Sequence, residues 1–89
     1  SAVLHPRCMV NTGAIVSHDC EIGEYTHIAP GAMLAGHVHV GARSLVGMGV
    51  TTAIGIKIGD GVRIGNGAVV YADVPDKTIV PAGKVWAGG

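Results

Sequence analysis

The chain has no phenylalanine, one tryptophan and two tyrosines among its 89 residues. Rings cannot fill its interior. Hydrophobic residues still make up 48% of the sequence, so valine, isoleucine, leucine and alanine must do the packing, which suits a narrow core of uniform width. Charge is also scarce. Only 13% of residues are charged and the net charge is zero, which leaves no basic footprint for nucleic acid and no patch of one sign to recruit an acidic or basic partner. No apolar run approaches the roughly 20 residues of a membrane span, and no signal-peptide pattern is present. The expectation is a soluble, cytoplasmic domain without nucleic-acid or membrane partners. The two cysteines, Cys8 and Cys20, are too few for a disulfide scaffold and lack C-x-x-C spacing, so both are expected reduced. A chain this short buries little on its own, so its core must be regular or shared.

What is abundant is repetition. A step of six from Leu4 lands on Leu4, Val10, Val16, Ile22, Ile28, Leu34, Val40, Val46, Thr52, Ile58, Ile64 and Val70, all aliphatic but Thr52. Four residues after each comes a small or β-branched residue, from Cys8 and Ala14 through Cys20, Thr26 and Ala32 to Val74. A helix needs a period near 3.6, and hairpins need turn dipeptides between strands. Neither fits. A six-residue unit fits a short strand plus a corner, three units closing an 18-residue triangular coil that stacks on the next through parallel ladders. Gly13, Gly31, Gly49 and Gly67 fall in one column of that register, and Gly23, Gly41 and Gly59 in another. Both columns are expected to be corners that need backbone freedom. The repeat covers 4–74, about four coils. Residues 1–3 are expected to be a frayed N-terminus. From Pro75 the phase is lost, Asp76 standing where an aliphatic is due, so 75–89 is expected to be a tail or cap.

The hexads, with the run N-T-G-A-x-V-x-H-D-C-x-I-G-x-x-x-H from Asn11 to His27, resemble the hexapeptide-repeat acyltransferases. Within them the chain is most similar to the branch that acetylates sialic acid or nucleotide-linked amino sugars. The resemblance covers residues 5–84. It implies an all-β, left-handed parallel β-helix, the handedness coming from the family because ordinary parallel crossovers are right-handed. It also implies an acetyl-CoA-dependent O- or N-acetyltransferase, assembled as a homotrimer with sites between neighbouring β-helices. Full-length members carry an N-terminal α/β domain that holds the nucleotide, so this chain corresponds to the C-terminal β-helix part.

His18 matches the family's general base: an acceptor amine or hydroxyl must lose a proton as it attacks the thioester, and a neutral imidazole can take it. Asp19 matches the acidic residue that supports the imidazolium, although Asp19 could equally pair with His37, eighteen residues on. Gly36 lies one coil above His18, where a missing side chain leaves space for a pantetheine arm. The resemblance further assigns His27, Met48 and Asn66 to acetyl-CoA binding and Asn11 to the acetyl or acceptor end. Ser17 departs from relatives that carry Glu there. Cys8 and Cys20 fall in the inward column and read as core. Some hexapeptide-repeat proteins are zinc carbonic anhydrases with histidines five apart and a third two coils upstream; His5, His18, His27, His37 and His39 contain no such spacing, so no metal is expected. A non-catalytic trimeric scaffold is the alternative of a different class.

Overall fold

The structure, a computed structural model, describes residues 2–88. Ser1, with the part of the frayed-start expectation that falls on it, lies outside the described residues. Fourteen two-residue strands build three parallel faces. The first face holds β1 (Val3–Leu4), β4 (Glu21–Ile22), β7 (His39–Val40) and β10 (Lys57–Ile58). The second holds β2 (Met9–Val10), β5 (His27–Ile28), β8 (Leu45–Val46), β11 (Arg63–Ile64) and β13 (Ile79–Val80). The third holds β3 (Ile15–Val16), β6 (Met33–Leu34), β9 (Thr51–Thr52), β12 (Val69–Val70) and β14 (Val85–Trp86). Val3 pairs with Glu21, Glu21 with His39 and His39 with Lys57, so the register advances by one 18-residue coil, and the chain is a triangular parallel β-helix.

Side chains alternate along a strand, so the second residue of each points to the axis and the first to solvent. Ile22, Ile28, Leu34, Val46, Ile64 and Val70 are accordingly buried. Each such side chain contributes roughly 1.5–3 kcal/mol by leaving water. The small column fills the corners beneath them: Cys20, Ala32, Val38 and Val50 are buried, and both cysteines are free thiols. Two polar members of that column are stacked and satisfied. Thr26 Oγ1 accepts the Ser44 amide at 3.1 Å, while Ser44 donates to the Gly59 carbonyl at 2.8 Å and accepts the Val62 amide at 3.0 Å. The core thins toward the first coil, where Leu4 and Val10 are exposed and β1, β2 and β3 form sheet edges. Val3 is nonetheless held in β1 by the Cys20 carbonyl, so the described part of the expected frayed start is paired.

The two glycine columns have different causes. Gly13, Gly31, Gly49 and Gly67 have φ of 66 to 73°, the left-handed turn expected of them. Gly23, Gly41 and Gly59 have no left-handed φ. They lie where consecutive coils touch, and a β-carbon on Gly23 would fall 2.4 Å from the Gly41 carbonyl carbon. The expectation of backbone freedom is therefore corrected to one of close backbone approach.

Of the segment 75–89, expected to lie outside the ladder, the described part, 75–88, continues it, and Gly89 lies outside the described residues. Between coils four and five the register shortens from 18 to 16: Ile58 bridges Val74, Arg63 pairs with Ile79 and Val69 with Val85. The two residues are lost in the corner at 71–73, which moves Val74 rather than Asp76 into the aliphatic slot. Val80 and Trp86 follow at steps of six, giving about five coils. Pro75 and Pro81 fall just past a bridge or strand on the fifth coil, and among the described residues no strand pairs with the outer edge of that coil, so their missing amides break no ladder bond.

Candidate functional site

Three corners join the faces, and the expected site residues occupy two of them, except His27, which opens β5 beside one. The corner leading from the third face back to the first carries His18 and Asp19 on one coil and Gly36 and His37 on the next. The His37 amide donates to the His18 carbonyl at 3.0 Å, so the backbone ladder fixes this juxtaposition. Asp19 and His37 share the left-handed corner position, with φ of 57° and 60°, and Gly55 occupies it one coil further on. Asp and His tolerate this conformation better than most side chains.

Gly36 is buried against the imidazole of His18. A β-carbon there would lie 2.6 Å from Cε1 and 2.7 Å from Nε2 of that ring. The expected gap above His18 is therefore real, but the His18 ring itself fills it, and the space for a long ligand lies elsewhere. A groove of about 350 Å³ runs along the third face beside it, lined by Ile15, Ser17, His18, Met33, Gly36 and Ile54. Its walls are apolar and His18 is exposed at its rim.

The His18 ring meets the His37 ring edge-on, with centroids 5.1 Å apart and planes at 87°. Asp19 Oδ2 lies 3.9 Å from His37 Nε2, the structural pairing left open above. It remains close to His18 as well: one donor atom each from His18, Asp19 and His37 all fall within 4.8 Å of one another. His37 is thus part of the constellation, although no two of the histidines are five or 36 residues apart.

The other expected residues gather across the third face, at the corner between the second and third faces. Asn11 and His27 are hydrogen-bonded, Asn11 Nδ2 to His27 Nε2, and Asn11 Nδ2 also donates to the Ile28 carbonyl at 3.2 Å. That second bond orients the amide, so His27 Nε2 must accept and its Nδ1 carries the proton. Met48 and Asn66 stack on successive coils, Asn66 Oδ1 accepting the Met48 amide at 2.9 Å. This use of Asn66 is structural, repeated where Asp60 Oδ1 accepts the Ala42 amide and Asp76 Oδ1 the Asp60 amide, both at 2.8 Å. The two groups flank the third face from opposite sides and do not touch within one chain.

A second concavity, about 550 Å³, lies over the first face. Glu21 sits there between His5, at 2.6 Å, and His39, at 3.5 Å. The hydrogen bond from His5 and the nearby His5 and His39 rings hold the Glu21 carboxyl below its ordinary range, against a smaller opposing effect of burial.

Comparison with known proteins agrees with this architecture. Residues 1–36 match the bacterial transferase hexapeptide family (six repeats). A stretch of 28 residues is 57% identical to the bifunctional protein GlmU of Chromobacterium violaceum, covering 32% of this chain and 6% of that protein. The acetyltransferase domain of PglB from Neisseria gonorrhoeae FA1090 superposes with a TM-score of 0.89 at 40% identity, over 90% of this chain and 39% of that one. PerB from Caulobacter crescentus, solved in complex with CoA and GDP-perosamine, superposes with a TM-score of 0.78 at 32% identity, over 91% of this chain and 51% of that one. The chain spans about half or less of the length of these structures. The hexapeptide-repeat resemblance read from the sequence is borne out, and the two neighbours are an acetyltransferase domain and a protein solved with CoA and GDP-perosamine.

Proposed function

We infer that this hexapeptide-repeat chain forms the catalytic β-helix of an acetyl-CoA-dependent acetyltransferase, acting on an amine or hydroxyl of a sugar or nucleotide-linked amino sugar in the cytoplasm. The observation that carries the reading is the His18 imidazole, exposed at the rim of the third-face groove on a fold that superposes on the PglB acetyltransferase domain at 40% identity. The groove fits the slender, largely apolar arm of the co-substrate: its lining is mostly apolar, with Ser17 and His18 on one coil and Thr51 and Thr52 two coils on as its polar groups. Acetyl-CoA supplies the activated acetyl group as a thioester.

His18 accepts the acceptor's proton at a ring nitrogen as the acceptor bonds to the acetyl carbon; the thioester C–S bond then breaks and the CoA sulfur leaves, taking the proton back from the imidazolium, so attack is direct and needs no acyl-enzyme. Asp19 supports the imidazolium through space rather than through a direct hydrogen bond. His27, its tautomer set by Asn11, offers an Nδ1 proton to a carbonyl or phosphate oxygen, and Met48 and Asn66 border the same corner. Because this corner and the His18 corner are on opposite sides of the third face, a homotrimer closes the site by setting one chain's third face against its neighbour. Exposed Ile15, Met33 and Ile54 on and beside that face make it the natural surface to cover.

The test is a calorimetric titration with acetyl-CoA, followed by a screen of amino-sugar nucleotides for release of free CoA. Saturable binding with acceptor-dependent CoA release is expected. No heat and no thermal stabilisation at millimolar acetyl-CoA would leave a non-catalytic trimeric scaffold as the better reading.

A further inference from the structure

The His18 corner carries more donor atoms than proton transfer requires. Asp19 and His37 occupy the left-handed position of consecutive coils, a conformation that costs energy for any residue with a β-carbon, and side chains in that position meet the neighbour one coil away. At the first corner the same position holds Arg7, Tyr25 and Arg43, whose guanidinium groups lie 5.7 and 5.6 Å from the Tyr25 ring. At the His18 corner it holds a carboxylate and an imidazole, and His18 itself supplies a second imidazole against them.

We propose that His18, Asp19 and His37 form a site for a divalent transition-metal ion, with Zn²⁺ as the reference ion, and that occupancy withdraws His18 from proton transfer. Three donor atoms, one from each residue, lie within 4.8 Å of one another. A tetrahedral zinc ion takes nitrogen and oxygen ligands at about 2.0–2.2 Å, so its ligand atoms stand roughly 3.5 Å apart and the three must close by about an ångström. The Asp19–His37 pair, at 3.9 Å, is nearly there. Both of those side chains are more than half exposed, which leaves the ligand atoms room to close, while the His37 amide to His18 carbonyl bond holds the two coils in place. Water completes the coordination. Two imidazoles with one carboxylate select Zn²⁺, Co²⁺, Ni²⁺ or Cu²⁺ over Mg²⁺ and Ca²⁺, which prefer all-oxygen sets. The ion binds the imidazole lone pairs, and the lone pair on His18 is the one that accepts the acceptor's proton. The inhibitory half therefore rests on the acetyltransferase reading, whereas the binding half does not.

Tag-free, chelator-treated protein titrated with ZnCl₂ in a calorimeter tests the site, with Co²⁺ as a spectroscopic probe and MgCl₂ as control. One Zn²⁺ per chain is expected, Co²⁺ should give visible absorption of a low-symmetry site, and Mg²⁺ should give no heat. His37→Asn, which keeps a residue tolerant of the left-handed corner, and Asp19→Asn should each weaken Zn²⁺ by more than about tenfold, since even outer-shell changes at metal sites cost 10- to 100-fold. His39→Asn, outside the cluster, should leave the affinity unchanged. Equal Zn²⁺ affinity in the native protein and His37→Asn overturns the site. In the transfer assay, Zn²⁺ should suppress native turnover reversibly on adding EDTA and suppress His37→Asn only at more than about tenfold higher concentration. Turnover untouched by saturating Zn²⁺ overturns the inhibitory half. His37-dependent binding in a protein that never releases CoA upholds the site and counts against the acetyltransferase reading instead.

Discussion

Gly36 is the residue on which the geometry of the His18 ring depends. Its missing β-carbon is what lets the imidazole pack against the next coil, and a methyl there would stand 2.6 Å from Cε1. The clash is with the far end of a side chain that can swing into solvent, so Gly36→Ala should leave the melting temperature within a few degrees of the native value. Displacing a catalytic group by about an ångström can cost about 10²-fold. Turnover in Gly36→Ala should accordingly fall by at least about tenfold in the CoA-release assay, and an unchanged rate would show that the ring's position over Gly36 is irrelevant. Residues separated by one 18-residue coil were legible from sequence: Asp19 with His37 and Met48 with Asn66 follow from counting. Contacts 16 apart were not. His5 with Glu21 and Asn11 with His27 are diagonal neighbours on one face, within reach of long side chains, and counting whole coils passes over them.

At the scale of strands and corners, the glycines separate into two energetic classes that thermal unfolding can distinguish. Gly67 has φ of 72° with nothing within 4 Å of an added β-carbon, so Gly67→Ala should cost only the left-handed penalty of about 1–2 kcal/mol. Gly23 faces rigid backbone at 2.4 Å, and Gly23→Ala must force two coils apart. It should cost more, about 3 kcal/mol or above, the upper range of overpacking. Equal losses in the two variants would contradict the close-approach reading. The first face carries a pH prediction. The Glu21 carboxyl is held low chiefly by its bond from His5, so the folded state binds its proton less readily than the unfolded chain does. Its stabilisation is present above the ordinary carboxylate range, about pH 4.3, and is lost as pH falls through the lowered value. Glu21→Gln should therefore lower the melting temperature modestly near neutrality and flatten its acid limb, native and variant converging as pH falls; an unchanged acid slope would count against the pairing. The hexad pattern made four coils legible. The fifth was missed because two residues drop out at 71–73, and the step of six that resumes at Val74, Val80 and Trp86 is visible only after that shift.

At the scale of the whole molecule, about five coils present an apolar third face on which Ile15, Met33 and Val85 are exposed. A homotrimer that buries this face is expected, and light scattering at micromolar concentration should return three times the 8.9 kDa chain mass. Met33→Glu, which puts a charge in the middle of that face, should shift the mass toward monomer without unfolding the chain, because its side chain points away from the core. A native monomer would remove the shared-site arrangement. What could not be read from sequence at this scale is that the two groups of site residues face each other across one face without touching, since coil counting gives height along the prism but not which corners flank a groove. The central claim is that this prism presents His18 as the base for acetyl transfer, and steady-state turnover of His18→Ala in the assembled protein tests it most directly. The account predicts a fall of about two to four orders of magnitude with acetyl-CoA affinity nearly unchanged, and a smaller loss in Asp19→Asn; near-normal turnover of His18→Ala from about pH 6 to 8, where a histidine changes charge, would contradict it.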